Sequence, residues 1–93
     1  MINILQKTPN EINRIIANNI VNLSKRKKIS QKELSKQSGV SYASIRRFES
    51  EGEISLASLT KISIALGVSE ELEELFTEVP FGSIEEIING QSK

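Results

Sequence analysis

Ninety-three residues with 12 basic and 12 acidic side chains, no histidine and no cysteine, describe one domain with a modest core. The two missing residue types remove the usual general base, the thiol nucleophile, any disulfide framework and most zinc-site designs. A metal held by carboxylates alone has no loop signature here, so no catalytic residue, cofactor or metal is expected. No apolar run is long enough to span a membrane, and the opening Met-Ile-Asn-Ile-Leu-Gln-Lys lacks a signal-peptide layout, so the expectation is a cytoplasmic protein.

Residues 1–8 read as an N-terminal arm in which Ile2, Ile4 and Leu5 are apolar: a docked segment, a strand shared with another subunit, or a frayed end. Thr8, Pro9 and Glu11 then form a strong helix start, with a capping threonine, proline at the first helical position and an acid at the third. Ile12, Ile15, Ile16, Ile20 and Leu23 recur at helical spacing to about Lys27 and predict a buried stripe. Ser30 and Glu33 predict a capping box that starts a second helix at Gln31, and Gly39 closes it. Ser41 caps a third helix after a turn so short that the two helices must cross steeply.

Leu34, Val40, Ile45 and Phe48 pack this helix pair on a shared core, which leaves Ala43, Arg46, Arg47 and Ser50 on the opposite side of the third helix. A short helix presenting small, polar and basic residues outward suits a DNA major groove. Glu51-Gly52-Glu53 is a turn. Ser55 caps a fourth helix carrying Leu56, Leu59, Ile62, Ala65 and Leu66, and Gly67 ends it. Ser69 caps a fifth, whose Leu72, Leu75 and Phe76 are expected to complete the core while its glutamates face away from DNA. Pro80 breaks the chain, and Ser83 with Glu86 predicts a short last helix bearing Ile84, Ile87 and Ile88. The reading is therefore all-α: a five-helix domain over 9–78 and a tail with a short extra helix over 79–93.

Zero net charge conceals a polar arrangement. From Ser24 to Arg47 the basic residues are Lys25, Arg26, Lys27, Lys28, Lys32, Lys36, Arg46 and Arg47, against Glu33 alone. From Phe48 onward ten glutamates face only Lys61 and Lys93. A DNA-facing half and a DNA-averse half would have this distribution, although two solvated charged faces would share it.

The segment Ile29-Ser30-Gln31-Lys32-Glu33-Leu34-Ser35, with Gly39-Val40-Ser41, Ile45 and Glu49, resembles the XRE-type (Cro/repressor) helix-turn-helix. The resemblance runs from about Ile12 to Leu66. It implies base contacts from Tyr42, Ala43 and Arg47, and phosphate contacts from Gln31, Ser41, Ser44 and Arg46. Arg47 is the sharpest of these, because a guanidinium can bond both acceptors of a guanine edge; a phosphate contact or a plain surface arginine is the alternative. Tyr42 can meet a thymine methyl, bond a phosphate, or pack beside the turn. Gln31 lies at a helix start, where free N–H groups favour a phosphate. Lys32 and Lys36, four residues apart, can line the same DNA strand or simply be solvated.

Two positions depart from the family pattern. Ser35 stands where alanine is usual. Ser24 stands where the family places an arginine that pairs with the acid corresponding to Glu49, so Glu49 is expected to take a hydrogen bond from Ser24 or to find another cation.

A second resemblance is narrower. Ser44-Ile45-Arg46-Arg47-Phe48-Glu49, then Gly52-Glu53-Ile54-Ser55-Leu56-Ala57-Ser58-Leu59, Ala65-Leu66-Gly67, Leu75-Phe76 and Pro80-Phe81-Gly82-Ser83 look like HipB-like antitoxins. It implies a toxin–antitoxin operon with a HipA-like serine/threonine kinase as partner, the glutamates and the tail from Phe81 to Ile88 serving as the outer surface. The expected function is a homodimeric repressor on an inverted-repeat operator in double-stranded DNA. A stand-alone or phage-type repressor is the alternative, and a protein–protein adaptor on the same scaffold is the alternative of another class. The apolar Ile2, Ile4, Phe81, Ile84 and Ile87, in excess of one small core, motivate the dimer.

Overall fold

Thr8 opens the first helix with a complete capping box. Its hydroxyl accepts from the Glu11 N–H and its own N–H donates to the Glu11 carboxylate, both at 3.1 Å. The backbone bond from Thr8 and then its hydroxyl hold the Glu11 carboxyl below its ordinary range, against an opposing effect of desolvation and with a lesser contribution from nearby Lys7. Residues 5–78 are described by a computed structural model, in which α1 is Pro9–Arg26, α2 Gln31–Ser38, α3 Tyr42–Glu51, α4 Leu56–Ala65 and α5 Ser69–Glu73. The described residues are all-helical, with no strand. The arm residues Ile2 and Ile4, and the expected last helix with Ile84, Ile87 and Ile88, lie outside the described residues.

The connections are fixed by specific hydrogen bonds. After α1 the Ile29 N–H donates to the Ser24 carbonyl (2.9 Å) and the Lys28 N–H to the Lys25 carbonyl (3.0 Å). Lys28 between them is left-handed at φ 56°, a Schellman ending on a non-glycine residue. Ser30 caps α2 through the Glu33 N–H (3.1 Å). The expected reciprocal bond from the Ser30 N–H to the Glu33 side chain is not among the hydrogen bonds of the described residues, so this cap works in one direction only. In the turn to α3, Gly39 takes φ 77°, and both backbone groups of Val40 are satisfied by serines. Ser35 Oγ donates to the Val40 carbonyl (2.6 Å), and Ser38 Oγ accepts from the Val40 N–H (3.1 Å). The serine that replaces the family's alanine at position 35 thus ties α2 to the turn.

The core consists of Ala17 and Ile20 from α1, Leu34 from α2, Val40 from the turn, Ile45 and Phe48 from α3, and Ile62 and Leu66 from α4 and its cap. The helix pair therefore buries the four apolar residues its spacing predicts. Packing runs α1 on α3, α2 on α3, α2 on α4 and α4 on α5. Gly52, also left-handed, is buried against α1: a Cβ there would come within 3.2 Å of Asn13 Cβ and 3.3 Å of the Arg14 nitrogen.

Three expectations about burial are corrected. Ile12, Ile15 and Ile16 keep 39%, 42% and 40% exposure, and the buried line of α1 is Ala17, Ile20 and Ser24. At 1.5 Å per residue α1 is about 27 Å long and α3 and α4 about 15 Å, so among the described residues α1 outreaches the helices it could pack against. Leu56 is exposed at the first position of α4, whose inward line is Leu59, Ile62, Ser63 and Leu66. In α5 the N-cap is Val68, not Ser69, with no side-chain cap. Leu72 is half-buried, but Leu75 is exposed and Phe76, at φ 63°, is 95% exposed. The helix ends at Glu73, before its face can carry Leu75 and Phe76 onto the core.

Candidate nucleic-acid interface

Helix α3 divides cleanly. Ile45 and Phe48 are buried, Ser44 and Glu49 are half-buried, and Tyr42, Ala43, Arg46, Arg47 and Ser50 are exposed. An open concavity of about 640 Å³ runs between this outer face and Gln31 at the start of α2. Of the residues expected to touch DNA, Gln31, Ala43, Arg46 and Arg47 line this concavity, and Lys32, Lys36, Ser41, Tyr42 and Ser44 do not.

At the start of α3, Ser41 Oγ accepts from the Ser44 N–H (3.1 Å) and donates to Ser44 Oγ (2.8 Å). The Ser44 hydroxyl proton is thereby left for an outside acceptor. The Tyr42 ring is approached by Lys32 Nζ at 6.0 Å and by the Arg46 guanidinium carbon at 5.6 Å, distances at which cations are attracted to the ring face. Tyr42 remains 38% exposed between these two cations. Lys36 is exposed on α2.

Arg47 is held by two carboxylates. Its Nε donates to Glu51 Oε2 and its Nη2 to Glu53 Oε2, each at 3.0 Å. The hydrogen bond to Glu53, then that to Glu51, raise the guanidinium pKa further, so Arg47 stays charged. Gln31, half-buried at the first position of α2, donates from Nε2 to Glu49 Oε1 at 3.0 Å and so joins the start of α2 to α3.

Residues 20–72, more than half of the chain, match the helix-turn-helix family. The chain belongs to that family. It is a family of DNA-binding transcription regulators, typically without enzymatic activity. No curated protein and no solved structure matches the chain. The match takes in α2, α3 and α4 whole, and it leaves the exposed first turns of α1 outside. Among the described residues no cluster of three potential metal ligands occurs, and no helix is long and apolar enough to cross a membrane.

Within this helix-turn-helix, Glu49 meets neither of the two partners expected for it. Ser24 is buried and its hydroxyl donates to the Ile20 carbonyl at 3.0 Å, while the partner of Glu49 is the neutral amide of Gln31. A buried hydroxyl needs an acceptor, and the carbonyl one turn back is the nearest one. A cleft of about 300 Å³ lies between Ser24 and Glu49, walled by Ile29 and Leu34. Glu51 and Glu53 were not singled out by the sequence reading. The four-residue spacing from Arg47 to Glu51 carries that signal, whereas Glu53 reaches Arg47 only because the chain turns at Gly52.

Proposed function

We propose that this helix-turn-helix protein is a transcriptional repressor that binds an inverted-repeat operator in double-stranded DNA as a homodimer. One observation carries the reading: the outer face of α3 offers Ala43, Arg46, Arg47 and Ser50 to the outside, and the core uses none of them. In this reading Tyr42, Ala43 and Arg47 meet base edges. Gln31, Ser41, Ser44, Arg46, Lys32 and Lys36 meet phosphates and fix the register. One recognition helix covers only a few base pairs, so selectivity calls for two half-sites about 34–36 Å apart or a multiple of that spacing. Selection from a pool of random duplexes tests this directly. An enriched inverted repeat, bound with a steep salt dependence, is the expected result; a pool that stays random overturns it.

The finer reading is an antitoxin that binds a HipA-like kinase and represses better in that complex. Its support is the run of sequence phrases from Ser44 to Ser83. To these the exposed Ile64, Leu75 and Phe76 add apolar surface among acids, after α3, of the kind a protein partner covers. Co-purification with the product of the neighbouring gene is the test. Absence of a complex at micromolar concentration, with and without operator DNA, leaves the plain repressor.

A further inference from the structure

A guanidinium has five N–H groups, and in this protein two of those on Arg47 are already engaged, one on Nε and one on Nη2. Three remain, two on Nη1 and one on Nη2, enough to bond the two acceptors of a guanine edge. The engaging carboxylates come from two places: Glu51 from the last turn of α3, Glu53 from beyond Gly52, where the backbone is pressed against Asn13 and Arg14 of α1. Each pair alone is exposed and weak. Two pairs on one guanidinium, anchored on different segments, restrict its orientation more than either does alone. They also set two negative charges beside it, so a DNA phosphate drawn to Arg47 meets repulsion, whereas a base edge carries no net charge.

We propose that Glu51 and Glu53 are positioning residues that make Arg47 a base reader: they fix which edge of its guanidinium is presented and keep it off the phosphate backbone. This rests on the reading that α3 meets DNA.

The test compares three full-length proteins: the natural chain, a Glu51→Gln/Glu53→Gln variant, and a Glu70→Gln/Glu71→Gln variant that removes the same charge from α5. All substituted side chains are exposed, and thermal melting checks that each variant is folded. Each protein selects from the random duplex pool and is then titrated against its best site, single-base changes of that site, and random duplex. The expected result is that the Glu51/Glu53 variant loses about tenfold of its preference at one base position per half-site and binds random duplex more tightly. The α5 variant keeps the preference. Unchanged preference in the Glu51/Glu53 variant, even with tighter binding to every duplex, overturns the proposal, because the acids then only repel DNA. Equal loss of preference in the α5 variant overturns it too. If the natural chain itself enriches no sequence, the DNA-reading assignment of α3 fails first, and that outcome is distinct from the others.

Discussion

Arg46 and Arg47 are adjacent, yet their surroundings differ. Arg47 is fixed by Glu51 and Glu53, while Arg46 lies over the Tyr42 ring at 5.6 Å with Lys32 nearby, in a cluster of positive charge. Arg47→Ala is expected to cost roughly 1–3 kcal/mol on the best site and to relax one base position. Arg46→Ala is expected to weaken all sequences alike and to lower the salt slope by about one. Titrations on matched and mismatched duplexes at several salt concentrations separate the two; equal loss on every sequence for both moves base reading to Tyr42. The vacancy at Ser24 gives a second expectation. Ser24→Arg sends a guanidinium into the cleft that ends at Glu49, whose present partner is an uncharged amide, and denaturant melts should show unchanged or higher stability, by up to about 1 kcal/mol. A clear fall would show that the cleft is closed to the longer side chain. The outward residues of α3 were legible because burial follows the helical period. The partner of Glu49 was not, since Gln31 lies 18 residues away and only the crossing of α2 on α3 brings them together.

Helices here are legible where their ends carry chemistry of their own. Thr8, Ser30, Ser41 and Ser55 each cap as their positions predict, because the capping bond is local. Ser69 does not cap, and α5 is short, with little of its surface buried; there tertiary packing, absent from local sequence, decides the boundaries. The stripe of α1 departs from its pattern for the same reason: periodicity gives a face but not how far along it a neighbour extends. Two glycines with the same φ of 77° show how the elements differ in tolerance. At Gly39 a Cβ would meet nothing within 4 Å, so Gly39→Ala should cost only the left-handed conformation, about 1–2 kcal/mol. At Gly52 the same methyl also presses on Asn13 and the Arg14 backbone, so Gly52→Ala should destabilise by more, about 2–4 kcal/mol. Denaturant melts of the two variants check the order; equal losses would mean that α1 yields at that contact.

Across the molecule, basic side chains gather from the end of α1 through α3, and acidic ones from the end of α3 onward. This pattern was legible from the sequence alone because charge, unlike burial, needs no coordinates. The apolar surface left over was not. It includes Ile12, Ile15 and Ile16, exposed on α1; Ile2, Ile4, Phe81, Ile84 and Ile87, which the sequence offers for subunit contact, lie outside the described residues. A homodimer should therefore show in sedimentation, its melting midpoint should rise with protein concentration, and Ile15→Asp should weaken association while leaving the monomer folded, since Ile15 is outside the core cluster. A monomer at every concentration, with and without DNA, removes the dimer. The contact at Gly52 carries a consequence at this scale. The next residue, Glu53, holds Arg47, and the backbone between them rests on Asn13, in the part of α1 that the family match leaves out. With Arg47 aimed as proposed, α1 is the sighting mark for the reading arginine. A shift of α1 at Asn13 is then felt at Arg47 through Gly52 and Glu53, so the helix outside the family match bears on base choice.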